Sequence, residues 1–139
     1  MRSFITHSAE ETTALGRRMA QELRPGSIVL LRGDLGAGKT TLIKGIAEGF
    51  HAAAAEDVTS PTFTLIHEYR GPQATLYHID LYRIDTQREL DTLALDDLMD
   101  PGSILLIEWG EKFDRLRREK GTEIAIEHLG GDERRIVIQ

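Results

Sequence analysis

A chain of 139 residues is long enough for one compact domain and too short for two. A formal net charge of −6 argues against an independent grip on RNA or DNA, and the absence of cysteine excludes disulfides, thiolate catalysis and cysteine metal sites. No stretch is apolar and long enough to span a membrane, and residues 1–7 have no apolar core like that of a signal peptide, so a cytosolic protein is the expectation.

In chain order, residues 3–6 read as a short strand. Ser8 is placed as a helix N-cap with Glu11 completing a capping box, and Leu15, Met19 and Leu23 give one apolar helix face over 9–23. Arg24-Pro25-Gly26 ends it, and an apolar strand over 27–32 follows. Gly33-Asp34-Leu35-Gly36-Ala37-Gly38-Lys39-Thr40 then fits the pattern Gly, four residues, Gly-Lys-Ser/Thr, and a helix to about Phe50 comes next. Strand, loop and helix in this order make a phosphate-binding loop. The glycines let backbone N–H groups turn inward, and the helix directs its positive end to the same place. Lys39 can reach the β- and γ-phosphates of a nucleotide, and the Thr40 hydroxyl is placed to hold Mg²⁺.

Residues 51–58 carry little pattern. Thr59-Ser60-Pro61-Thr62 is a dense run of hydroxyls around a proline. By sequential position it is either a switch that folds over the γ-phosphate and Mg²⁺, or a polar loop that starts a strand. Strands over 63–69 and 74–80 are joined by so short a link that they must form an antiparallel hairpin, which makes the sheet mixed. Residues 87–99 read as a helix with Leu90, Leu93 and Leu98 on its apolar face, and Asp100-Pro101-Gly102 as a turn. The continuous apolar run 103–107 is a strand buried on both faces. A charged helix over 110–120 around Phe113 and Leu116, and a closing hairpin of 122–129 with 134–139, complete the chain. The fold expected is α/β: a single P-loop NTPase-like domain over 1–139, with a mixed central sheet flanked by helices and carrying antiparallel hairpins.

A Mg²⁺-nucleotide needs a carboxylate at a strand end facing the loop. Asp80 and Glu108 each end an apolar strand, and the Glu108 strand, being the more apolar, is the expected central neighbour. Which acid ligates and which positions water stays open. The histidines at 7, 51, 67, 78 and 128 lack a metal-ligand spacing and read as surface or partly buried residues. Tyr82 and Trp109 read as packing residues, and the basic clusters at Arg17-Arg18, 115–120 and Arg134-Arg135 as solvated helix faces and strand ends. Three classes of P-loop protein compete. A GTPase needs an Asn-Lys-x-Asp segment, and the chain has no asparagine. A small-molecule kinase needs a lid and an acceptor pocket, for which few residues remain, so it is the alternative. A small ATPase acting on a partner fits best.

The segments 33–41, Ser60-Pro61-Thr62-Phe63-Thr64, His78-Ile79-Asp80-Leu81-Tyr82-Arg83, Glu89-Leu90 and Glu108-Trp109, in this order, resemble the bacterial TsaE (YjeE) family, over about 8–139. That family is the ATPase component of tRNA threonylcarbamoyladenosine biosynthesis. The resemblance implies a small Mg²⁺-dependent ATPase that joins two partner proteins, TsaB and TsaD, with TsaD carrying the transfer to the adenosine beside the anticodon and ATP hydrolysis resetting the complex. It implies that Asp34, Gly36, Ala37, Gly38, Lys39, Thr40 and Thr41 bind ATP, Thr41 at the α-phosphate. Ser60, Pro61 and Thr62 would form the first switch. Lys39, Asp80 and Glu108 would be catalytic, and Thr40, Asp80 and Glu108 would serve the metal. Contact with tRNA would be indirect, through the partners, which agrees with the acidic charge.

Overall fold

The computed structural model describes residues 1–34, 36–61 and 65–139. Its strands are β1 (Arg2–Thr6), β2 (Ser27–Arg32), β3 (Ile66–Arg70), β4 (Thr75–Asp80), β5 (Ser103–Glu108), β6 (Thr122–Gly130) and β7 (Glu133–Ile138). They form one seven-stranded sheet in the order β1-β7-β6-β2-β5-β4-β3. The middle is parallel: β2 pairs with β5 and β6, and β4 with β5. The two hairpins and β1 add antiparallel pairs at either side. The mixed sheet expected from the short 70–73 link is therefore present, and β5 lies beside β2 as its apolar composition predicted.

The helices are α1 (Ala9–Met19), α2 (Lys39–Gly49), α3 (Gln87–Thr92) and α4 (Asp114–Glu119). Side chains alternate across each strand, so the sheet has two buried faces. Val29, Leu31, Leu76, Ile104 and Leu106 share one face and pack with Leu15, Met19, Leu42 and Ile46 of α1 and α2. Ile28, Leu30, Ile79, Leu105 and Ile107 share the other, with Leu90 of α3 and Leu116 of α4. This two-sided burial is why 103–107 is a continuous apolar run. Among the described residues no helix is long and apolar enough to cross a membrane.

Glycines set how closely α1 and α2 meet. A Cβ on Gly45 would lie 2.0 Å from the Thr13 carbonyl oxygen, and one on Gly16 would lie 2.4 Å from that of Leu42. Both obstacles are backbone, so neither can step aside. Gly45→Ala is expected to cost about 3 kcal/mol through overpacking and to lower the midpoint of thermal unfolding by roughly 10 °C in a scanning melt. Because α2 begins in the glycine-rich loop, the same change should disturb that loop.

Several expected boundaries move. Helix α1 is regular only to Met19, after which turns carry the buried Leu23 back to the Met19 carbonyl. Its cap uses Ser8 as expected, with Ser8 Oγ accepting from the Glu11 amide at 3.1 Å, but Glu11 accepts from the His7 amide rather than that of Ser8. Strand β3 starts at Ile66 because Leu65 is left-handed, at φ 69°; Phe63 and Thr64, placed in that strand by the sequence, lie outside the described residues. The helix expected over 87–99 is instead α3, a left-handed Ala94 and a 3₁₀ turn at Leu95–Leu98. The break lets Leu95, Leu98 and Met99 pack into the same cluster as Leu90, which a straight helix with leucines at 90, 93 and 98 could not do. Residues 110–120 likewise divide into a 3₁₀ turn, an extended Phe113 and α4.

Candidate functional site

Strands β2, β4 and β5 run parallel, so their C-terminal ends lie side by side. The register pairs Leu31 with Glu108 and Asp80 with Glu108. The chain leaves β2 into the glycine-rich loop exactly beside these acids' strand ends, and α2 returns over the face of the sheet that carries Leu76, Leu106 and Val29. The loop needs its glycines: Gly36 and Gly38 sit at φ 80° and 110°, and a Cβ on Gly33 would lie 2.7 Å from the Ile126 carbonyl oxygen. The Ala37 amide closes the turn onto the Asp34 carbonyl at 3.0 Å.

Helix α2 differs from α1 at its start. In α1, Ser8 caps the end, and Glu10 and Glu11 lie in the first turn. Helix α2 has Gly38 at the cap position, no side-chain cap and no acid in its first turn. Its positive end is left for an outside anion.

Lys39 is 5% exposed. Its Nζ donates to the Gly33 carbonyl at 2.6 Å, lies 3.8 Å from Glu108 Oε1 and sits 4.0 Å above the centre of the Trp109 ring. Trp109 reaches that position from a left-handed backbone, φ 65°, unusual for an aromatic residue, and its ring rests against Tyr82 at 5.2 Å. Burial holds the Lys39 ammonium below the usual lysine range, outweighing the opposing pull of Glu108, Glu111, Asp80 and Asp34. A depressed lysine means that the folded chain binds fewer protons than the unfolded one between the two pKa values. Folding stability therefore rises with pH through that window, up to the ordinary lysine value of 10.5. Denaturant unfolding between neutral pH and that value should show this rise in the wild-type chain and a smaller one in Lys39→Met.

Asp80 and Glu108 are each 4% exposed. Asp80 Oδ1 accepts from the Tyr82 amide at 2.9 Å. Glu108 Oε2 is 2.5 Å from His78 Nε2. Both acids line a cleft of about 340 Å³ together with Gly36, Gly38, Lys39, Thr40, Thr41, Ser60, Trp109 and Arg134, a size suited to the phosphate end of a nucleotide. The cleft thus gathers Gly36, Gly38, Lys39, Thr40, Thr41, Ser60, Asp80 and Glu108 from the sequence-predicted set. Ala37 is buried within the loop and lines a neighbouring cleft, and Pro61 is buried with its carbonyl accepting from the Leu65 amide at 2.6 Å. Asp34 lines that neighbouring cleft with Arg32, Glu111 and His128 rather than this one. Thr62 lies outside the described residues.

The donor set fits a hard cation held partly by something else. Thr40, Asp80 and Glu108 offer only oxygen. Among the described residues no group of three or more histidines, cysteines and acids is placed to hold a metal by itself. Mg²⁺ is ordinarily bound in this way, by one or two carboxylates with the remaining positions taken by phosphate and water.

Two side chains at the site, His78 and Arg134, were misjudged from sequence, and a third, Trp109, packs against an unexpected partner. His78 is fully buried, where a surface or partly buried histidine was expected. Its place two residues before Asp80 was the available signal, since that spacing puts both on one strand face. Trp109 packs, as expected, but the surface it covers is the Lys39 ammonium. Arg134 is not merely a solvated strand end. Its Nε donates to the Ala37 carbonyl at 2.7 Å, and Nη1 donates to the carbonyls of Gly131 and Glu133. Its strand parity with the buried Ile136 could have indicated an inward direction.

The model of the family described as threonylcarbamoyl adenosine biosynthesis protein TsaE matches residues 6–136. The tRNA threonylcarbamoyladenosine biosynthesis protein TsaE of Bacillus subtilis (strain 168) is 40% identical over 131 residues, 94% of this chain and 80% of that protein. The protein of the same name from Nostoc sp. (strain PCC 7120) is 43% identical over 138 residues, 96% of this chain and 81% of its own length. The crystal structure of Bacillus subtilis YdiB superposes with a TM-score of 0.74 at 35% identity, covering 99% of this chain and 83% of YdiB. The match runs through the phosphate loop, both strand-end acids and the closing hairpin: this chain belongs to the TsaE family.

Proposed function

We propose that this chain is a Mg²⁺-dependent ATPase of tRNA threonylcarbamoyladenosine formation, working in the cytoplasm with TsaB and TsaD, and that hydrolysis of its ATP resets that complex between turnovers. The relatives' names supply the pathway. The observation that carries the chemistry is the convergence of Lys39, Thr40, Asp80 and Glu108 in one cleft at the start of α2. The amides at the start of α2 and the Lys39 ammonium would take the β- and γ-phosphates, with Thr41 beside the α-phosphate. Lys39 would leave the Gly33 carbonyl and the Trp109 ring to do so. Thr40 and one of the two acids would hold Mg²⁺, which when bound neutralises charge on the phosphate oxygens. The other acid would orient the attacking water. Ser60 at the mouth of the cleft, with Pro61 and Thr62, would be the switch that senses the γ-phosphate. The net charge of −6 leaves the tRNA contact to the partners.

Phosphate release, measured for the chain alone and with TsaB and TsaD, tests this reading. Slow release alone, accelerated by the partners, is the expected result. A phosphorylated small-molecule product that forms without phosphate release would make the chain a kinase instead.

A further inference from the structure

His78 is 0% exposed, yet it is polar and sits on the strand that ends in Asp80, beside the strand that ends in Glu108. In β4 its side chain shares a face with that of Asp80, and the register sets it opposite Leu106, two residues before Glu108. Its Nε2 is 2.5 Å from Glu108 Oε2, while the other carboxylate oxygen, Oε1, is the one 3.8 Å from Lys39 Nζ. A carboxylate only accepts, so Nε2 carries the hydrogen. Nδ1 agrees: it is buried without a hydrogen-bond partner among the described residues, and an orphaned acceptor is less costly than an orphaned N–H. The ring is held from the far side by His67 of β3, edge-on at 6.5 Å and 89°.

We propose that His78 is a positioning residue for Glu108, its Nε2–H fixing Oε2 so that Oε1 alone is presented to Lys39 and the cleft. A glutamate has three side-chain torsions, and a free one would spend most of its time in unproductive rotamers. Tethering one oxygen removes that freedom before nucleotide arrives, which is the arrangement that an accurately placed catalytic or metal-binding carboxylate needs. The inference rests on the hydrolase reading of Glu108.

The test is a double-mutant cycle on the full chain with TsaB and TsaD, following phosphate release and equilibrium ATP binding. His78→Leu is expected to lower kcat about 10- to 100-fold, the size of effect seen when an outer hydrogen-bond partner of a metal-site ligand is lost. The ATP dissociation constant should stay within about threefold. His78→Gln, which can return an N–H to Oε2, should recover most of the rate. In a Glu108→Gln background His78→Leu should have no further effect, because the group that it positions is already gone. An unchanged kcat in His78→Leu, an equal loss in the Glu108→Gln background, or no recovery in His78→Gln would each overturn the proposal. If His78→Leu does not fold, His78→Asn, whose amide is too short to reach Oε2, replaces it in the same cycle with the same expected outcomes. No phosphate release from the unmodified chain would overturn the hydrolase reading itself, a result distinct from an active chain that is indifferent to position 78.

Discussion

Lys39→Ala is expected to abolish ATP hydrolysis, by at least about 10²- to 10³-fold, and to weaken ATP binding while leaving the domain folded. Among the described residues that line the cleft the side chain is the only ammonium, and it is already withdrawn from water, resting on the Gly33 carbonyl and the Trp109 ring. A preorganised cation in a dry site acts on developing phosphate charge far more strongly than the same cation in solvent. The folded chain should tolerate the loss, because burial disfavours the Lys39 charge to begin with. Phosphate-release kinetics, ATP titration and a thermal melt on one preparation separate these effects. Normal turnover in Lys39→Ala would remove the phosphate loop from the mechanism.

Glu108→Gln and Asp80→Asn should each cut hydrolysis by about 10²-fold or more while ATP binding changes only severalfold. Both acids are buried at strand ends that the parallel register sets side by side. The Mg²⁺ dependence distinguishes their roles: the substitution that removes a ligand raises the Mg²⁺ concentration needed for half-maximal rate, and the one that removes the water-orienting group does not. Two variants with wild-type turnover would show that neither acid serves the nucleotide.

What the sequence disclosed about this site was what is written locally. The spacing from Gly33 to Thr40, set between an apolar strand and a helix, is covalent information, so a glycine-rich loop between β2 and α2 was legible there. The 70–73 link is too short for anything except a hairpin, and the unbroken apolar run of 103–107 required a strand with both faces covered. Those facts were enough to put Glu108 beside the loop. The features that were missed depend on pairing between distant segments. His78 meets Glu108 across 30 residues, and Arg134 reaches Ala37 across 97. Strand parity gives the face each side chain takes, but not the distant partner it meets there. The left-handed turn at Ala94, where packing of Leu95 and Met99 overrides the helical reading of 87–99, leaves no local period. The largest surprise, Lys39 stacked on Trp109, needs a backbone conformation at Trp109 that propensity alone would reject.

The most direct test of the central claim, an ATP-driven reset whose output lies in other proteins, is threonylcarbamoyladenosine formation on tRNA by TsaB and TsaD over many turnovers, with and without this chain. The predicted result is sustained modification only when the chain and hydrolysable ATP are both present, with a non-hydrolysable analogue stopping the reaction after about one turnover. Equal multiple-turnover yields without the chain, or with the analogue in place of ATP, would contradict it.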